Sequence, residues 1–389
     1  MQIHTTNPGE KISDIAAMHG VSEESVRMIN EITEGEPCEG EELLILIPTR
    51  TYTVQYGDSL DRIALRFGIP KSSIFMLNPW LEKDPVPGQK IALKYGERRG
   101  GMAMANGYFY KGCDRQKLKR AMPYLTYITF AGAVADEDGI GRCTNFKAEV
   151  KIALEGRKIP LLRIYDKHPE RYSTDSDLTR FCEDMIGLAK DGGYKGIIID
   201  SCPLSNSAKS FMSFLIKLRK LMIGCDLILI TEINENSPTE FSEFADGSVI
   251  YYPKYAMENP PKFHDGEREI LADFACRGES AKVFIDLPSL AKYGSKFTTV
   301  NEALQQARKH GFRVETNENT LLSHIRDRRQ GEYTFSSLKN IKALLELVTE
   351  FDYMGVCFDI MRTPLSHLMM YNNIFKTHYL SPIGPIEQP

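Results

Sequence analysis

The chain has 389 residues, 42% of them apolar and 26% charged, with a net charge of −4 and a pI near 6.1. A chain of that length divides into more than one domain, and its acidic balance argues against a nucleic-acid surface, which is usually basic. No run approaches the roughly 18 apolar residues of a membrane span, so no membrane partner is expected. The opening residues, MQIHTTNPGEKISDIAAMHG, lack both a basic n-region and a long apolar stretch, so no secretory signal is expected either.

The first predicted elements occur twice. NPGEKISDIAAMHGVSEESVRMIN (7–30) aligns with QYGDSLDRIALRFGIPKSSIFMLN (55–78), so 55 stands against 7 and 78 against 30, a constant offset of 48. Gly9 pairs with Gly57, Gly20 with Gly68 and Asn30 with Asn78. Apolar residues recur at helical spacing over ISDIAAMHG and LDRIALRFG, and each run is stopped by Gly. A second short helix ends at Asn, and an apolar strand follows Gly40 or Gly88. Each unit therefore reads as strand–helix–helix–strand.

TYTVQYGDSLDRIALRFGI, IFMLNPWL and VPGQKIAL in the second unit resemble a LysM domain, of which the first unit is a degenerate copy. The resemblance implies binding of an N-acetylglucosamine polymer, peptidoglycan or a chitin-like glycan. It places that glycan between Gly57-Asp58-Ser59-Leu60 and Asn78-Pro79-Trp80-Leu81. Trp80, the one Trp of the chain, either offers a face to sugar C–H groups or packs the small core. Asp58 and Ser59 suit the N-terminus of the helix as well as a sugar.

KYGERRGGMAMANG (94–107) is charged and Gly-rich and reads as a linker. Beyond it, buried-type strands are expected at 107–110, 125–135, 159–166, 195–201, 226–233, 247–255, 282–289 and 354–361. Helical patterns alternate with them, as in TDSDLTRFCEDMIGLAKDGG. The alternation predicts an α/β fold with a parallel sheet, and eight strands fit a (β/α)8 TIM barrel. An open doubly wound sheet is the alternative, weakened because no GxGxxG opens the first helix. The segment 298–351 exceeds one barrel helix and reads as an α+β insertion between strands seven and eight. Its Tyr333 or Phe335 faces a sugar or makes an ordinary strand contact. The expected domains are 1–49, 50–96 and 97–389.

Acids stand at five strand ends: Asp166, Asp200, Glu232, Asp286 and Asp359, with Tyr252 on the sixth strand. Function in a barrel sits at these C-terminal ends, so several of the acids should share a pocket. Singly, each also suits a helix N-cap or a surface loop. The eight Cys, at 38, 113, 143, 182, 202, 225, 276 and 357, are scattered without a CxxC pair, which fits small buried thiols and no metal site. No cofactor motif is present.

Two LysM-like units ahead of a barrel, with PYLTYITFAGAVADEDG, EFADGSVIYYPKY, KVFIDLPSLAKYG and YMGVCFD in place, resemble the bacterial spore-associated glycosidases of glycoside hydrolase family 18. That resemblance implies a fourth strand carrying D-G-x-D-x-D-x-E, whose Glu is the general acid. On this chain the motif falls on Lys195, Gly196, Ile198, Asp200 and Cys202, so one Asp is kept and a thiol stands at the position of the acid. A thiol, with a reference pKa of about 8.5, is a poor donor to a glycosidic oxygen, and losing a general acid costs about 10²–10⁴ in rate. Pro253 stands where the family has an Asp beside Tyr252, and Asp359 where it has the Trp floor of the pocket.

The expected function is therefore a glycan-binding protein on an inactive chitinase-like barrel. It would be made in the cytoplasm and associated with the spore coat, cortex or cell wall. An active N-acetylglucosaminidase using a relocated carboxylate, Glu232 with Asp200 or Asp286, is the alternative. A thiol enzyme pairing Cys202 with His168 is a third reading.

Overall fold

The computed structural model describes all residues except 82–83, 97–99, 137–138, 168–174, 201–207, 234–238, 251–265, 278–279, 328–330 and 378–389. It forms two compact units. One holds Met1–Gly101, Pro288–Leu345 and Arg362–Lys376; the other holds Met102–Leu287, Glu346–Met361 and the chain from Thr377.

The second unit is the barrel. Its parallel strands are Met102–Tyr110, Tyr127–Asp136, Ile159–Asp166, Gly196–Asp200, Ile228–Ile233, Gly247–Ile250, Val283–Asp286 and Gly355–Asp359. They close because the first strand bonds to both the second and the eighth. Helices Arg115–Ala121, Lys147–Glu155, Asp175–Asp191, Ala208–Met222 and Glu267–Cys276 return the chain between strands. The first strand starts five residues earlier than its 107–110 expectation, because Met102 to Asn106 belong to it rather than to a linker. Alternation explains the fit: Met104, like Tyr108 and Tyr110, turns into the barrel.

Ordinary barrel logic fills the interior with side chains from successive strands. Tyr108, Tyr127, Leu161, Ile198, Ile230, Val249, Phe284 and Cys357 form one buried cluster. The Tyr127 and Phe284 rings meet edge-on at 5.9 Å. Glycine permits the tightest closure. A Cβ on Gly355 would lie 1.8 Å from the Met104 carbonyl oxygen, across the seam between eighth and first strands.

The other unit contains both N-terminal repeats and the insertion. The first repeat runs Gln2–Thr5, Ile12–His19, Glu23–Ile29 and Glu42–Ile45; the second runs Arg50–Thr53, Leu60–Phe67, Lys71–Leu77 and Lys90–Lys94. In each, the outer strands pair antiparallel. The helix-ending Gly20 and Gly68 take φ of 65° and 64°, where a side chain would be strained. Identical contacts recur at the 48-residue offset. Asn30 donates to the Val26 and Leu44 carbonyls and accepts from Leu44 N–H; Asn78 does the same with Ile74 and Ala92.

The insertion is a five-stranded sheet with a helix. Its strands are Leu290–Tyr293, Lys296–Thr299, Val314–Thr316, Leu322–Asp327 and Gly331–Ser336, and its helix is Val300–His310. Thr299 and Glu302 form a capping box at the helix start. The sheet begins at Leu290, ahead of 298. Phe335 is buried between sheet and helix with Tyr333 packed beside it, as ordinary strand contacts.

Gly355→Ala should destabilise the barrel by about 3 kcal/mol, because backbone rather than a flexible side chain must yield. Gly187→Ala is the control. It sits in helix Asp175–Asp191 with open space around it, and should stabilise by about 0.5–1 kcal/mol. Urea midpoints of the two variants check both signs.

Candidate functional site

The polar end of the barrel is built by side-chain parity. Residues two apart on a strand share a face. Two residues beyond the interior Ile198, Ile230, Phe284 and Cys357 come Asp200, Glu232, Asp286 and Asp359. Glu232, Asp286 and Asp359 therefore turn toward the barrel axis. Asp166 does not join them. Leu161 lies in the interior and Arg163 shares its face, so Asp166 falls with Leu162 and Ile164 on the outer face, where it is buried. Asp200 closes the fourth strand, and its side chain lies outside the described part. Cys202, Tyr252, Pro253 and His168 also lie outside the described residues.

Glu232 is 1% exposed, and a residue that the strand-end reading passed over holds it. Arg163 donates from Nε to Oε1 at 2.8 Å and from Nη2 to Oε2 at 2.9 Å. The Tyr108 hydroxyl adds a bond to Oε1 at 2.9 Å. This two-pronged pairing fixes the carboxylate in position. The signal was present in IPLLRIYD: Arg163 is the only basic residue in that strand, and it carries interior parity.

The other acids feel the crowding. Burial, and then the charges of Glu232 and Asp359, hold the Asp286 carboxyl well above the usual carboxylate range, against the pull of Arg163. Asp286 is half-buried at the end of its strand. Asp359 accepts from the Met361 N–H at 3.0 Å. Burial pushes the Cys357 thiol up, with Asp286 adding to it. The Arg163 guanidinium thus pairs with Glu232 and also offsets part of the rise at Asp286. Ile198, where the family motif has an Asp, is fully buried among Leu161 and Ile230.

In the second repeat, Gly57 turns with φ of 80°. Asp58 accepts from the Tyr52 hydroxyl at 2.6 Å and from the Gln55 N–H at 2.8 Å, which holds its carboxyl below the usual range. Ser59 caps helix Leu60–Phe67 by accepting from Arg62 N–H. Asn78 is fully buried in its backbone bonds. Trp80 is 7% exposed and takes the place that Ile32 has in the first repeat. The aromatic ring that does face solvent is Tyr56, 97% exposed beside Gly57. No group of three or more His, Cys, Asp or Glu suited to a metal ion occurs among the described residues.

Removing Arg163 alone should cost about 3–5 kcal/mol, since Glu232 would be left charged and buried. Arg163→Met with Glu232→Leu should recover most of that loss, and denaturation of both variants checks the difference. Asp286 sets a pH dependence. Its folded pKa is raised, so its contribution is whole below the ordinary carboxyl value of about 4 and is lost as pH rises through the folded value. Asp286→Asn should therefore flatten the decline of stability with rising pH. An unchanged slope would count against a protonated Asp286.

Residues 52–94 match the LysM domain model. No curated protein sequence matches the chain at a significant level. Among solved structures, the spore cortex-lytic enzyme SleL of Bacillus cereus superposes with a TM-score of 0.74 at 18% identity, covering 97% of this chain and 99% of that one. SleL of Bacillus megaterium gives 0.74 at 18%, covering 98% and 99%. A GH18 chitinase from Cycas revoluta, in complex with (GlcNAc)3, gives 0.60 at 11%, covering 70% and 99%. The chain thus carries a LysM domain at residues 52–94 and a barrel with the fold that the SleL enzymes and family 18 chitinases share.

Proposed function

We propose that this is a carbohydrate-binding protein of the cell wall or spore, carried on a barrel that does not hydrolyse by the substrate-assisted route. The LysM match at 52–94 supports an N-acetylglucosamine polymer as ligand, peptidoglycan or chitin-like. The fold shared with cortex-lytic and chitinase structures supports the same ligand class. We place contact at Gly57, Asp58 and Ser59, and around the turn after Asn78, with Trp80 as packing beneath. The working division is 1–49 and 50–96 as LysM-type units and 97–389 as the barrel with its insertion.

The observation that carries the inactive-barrel reading is the state of Glu232. It is the relocated carboxylate best placed by sequence, yet Arg163 engages both of its oxygens at 2.8 and 2.9 Å. A carboxylate whose two oxygens are both taken by Arg163 has no free approach to a sugar. The position of the family acid is Cys202, and Ile198 supplies hydrocarbon where the motif has its second Asp.

One observation favours a second reading, a working N-acetylglucosaminidase with rebuilt chemistry. Burial, Glu232 and Asp359 hold the Asp286 carboxyl well above the usual carboxylate range, the direction a general acid needs. Asp359 or Asp200 would then be its partner.

The full chain should sediment with insoluble peptidoglycan or chitin and be released by soluble N-acetylglucosamine oligomers. It should liberate no reducing sugar from chito-oligomers or cortex fragments, and Cys202→Glu alone should restore little or none. A chain that stays in the supernatant sinks the glycan reading. Turnover abolished by Asp286→Asn or Glu232→Gln establishes the rebuilt site, and turnover abolished only by Cys202→Ala promotes the thiol.

A further inference from the structure

The two repeats fold alike but are used differently. Their backbone bonds correspond at the 48-residue offset: Thr6 N–H to Glu41 O and Gly40 N–H to Thr6 O in one, Val54 N–H to Gln89 O and Gly88 N–H to Val54 O in the other. Equivalent positions can therefore be compared one by one.

In the first repeat, the turn before the last strand is sunk into the insertion. Cys38 is part of the buried core formed with Ala303, Val314 and Phe335. The Glu39 carbonyl accepts from the Val314 N–H at 2.9 Å. Gly40 is obligatory, because a Cβ there would lie 2.0 Å from the Val314 carbonyl oxygen. Glu41, 1% exposed, accepts two bonds from Arg308, whose side chain is 8% exposed. The turn after the second helix is engaged as well. Glu31, at φ 51°, accepts from Asn301 Nδ2 at 2.6 Å and from the Leu365 N–H at 2.9 Å.

The second repeat has none of this chemistry at the same places. Pro79 stands for Glu31, Val86 for Cys38, Gln89 for Glu41 and Lys90 for Glu42. Val86 is 64% exposed, where Cys38 is 8% exposed. The carboxylates that grip the insertion are confined to the copy that grips it.

We propose that the first repeat is an internal clamp for the insertion rather than a second ligand module, so that each chain presents one glycan-binding repeat, the second. The single-site half of this rests on the glycan reading above; the clamp half does not. Divergence of the first copy from the LysM pattern is then specialisation toward a protein surface. The turns at 30–32 and 38–42 are spent on Asn301, Arg308 and Val314 and are not available to a sugar.

Hydrogen exchange on the full chain, followed by mass spectrometry, tests both halves. Without ligand, Arg308→Ala should speed exchange at least about tenfold in peptides from both 36–46 and 300–316, because clamp and insertion protect each other. Arg308→Lys should retain part of the protection. Faster exchange confined to the helix carrying residue 308 would overturn the clamp. With a soluble hexamer of N-acetylglucosamine, new protection should fall within 50–95 and leave 1–49 unchanged, at one hexamer per chain by calorimetry. Protection shared equally by the two repeats, or two hexamers per chain, would overturn the single-site assignment while leaving the glycan reading intact. No binding at all, with the Arg308 result as expected, would sink the glycan reading and the single-site assignment with it, while the clamp stands.

Discussion

The polar end of the barrel depends on one buried ion pair. Arg163 and Glu232 come from strands that are not adjacent, so their pairing spans the interior above the apolar layer of Ile198 and Ile230. With the Arg in place, both Glu232 oxygens are engaged, and burial together with the nearby Glu232 and Asp359 weighs on Asp286. Without the Arg, Asp286 would lose the positive charge that offsets its burial and its acidic neighbours. A buried pair of this kind adds little net stability over apolar replacements, but losing one member is expensive. Its effect here is to decide which carboxylate oxygens are occupied.

Much of the fold could be read from the chain. Eight apolar runs, spaced by helical patterns, predicted the eight barrel strands, and IPLLRIYD marks its strand without error at 159–166. Where runs were bounded by small residues the edges slipped, as at Met102–Tyr110, because MAMANG alternates small and large residues and resembles linker as much as strand. Glu232, Asp286 and Asp359 were legible as candidates, since each stands at or next to the last residue of its strand. The odd one out, Asp166, was hidden by a count of one residue: parity places it outside, and strand ends alone do not reveal parity. Arg163 was missed for the converse reason, being mid-strand, where a charge is easily taken for an outward-facing one.

The small units teach a related point. The repeat itself is visible as a 48-residue offset, and its Asn-centred hydrogen bonds explain why Asn30 and Asn78 are kept while surrounding residues change. Each Asn closes three bonds to backbone that is otherwise buried. A side chain lacking either donor or acceptor would strand peptide groups, at about 1–3 kcal/mol each. Sequence similarity between copies thus reports shared architecture. The differences, Glu41 against Gln89 and Cys38 against Val86, report what each copy touches, and only coordinates supply that second list.

The burial of Trp80 also gives the molecule an optical property. It is the only Trp among 389 residues, and it lies in the core of the second repeat, 7% exposed. Excitation selective for indole therefore addresses that small module alone, whatever the barrel or the insertion is doing. An emission shift toward longer wavelength on heating or in denaturant would time the opening of the second repeat. The fifteen Tyr outside residues 50–96, Tyr108 and Tyr127 in the barrel interior among them, would time the rest. Two colours of one spectrum can thus follow two parts of one polypeptide without any label.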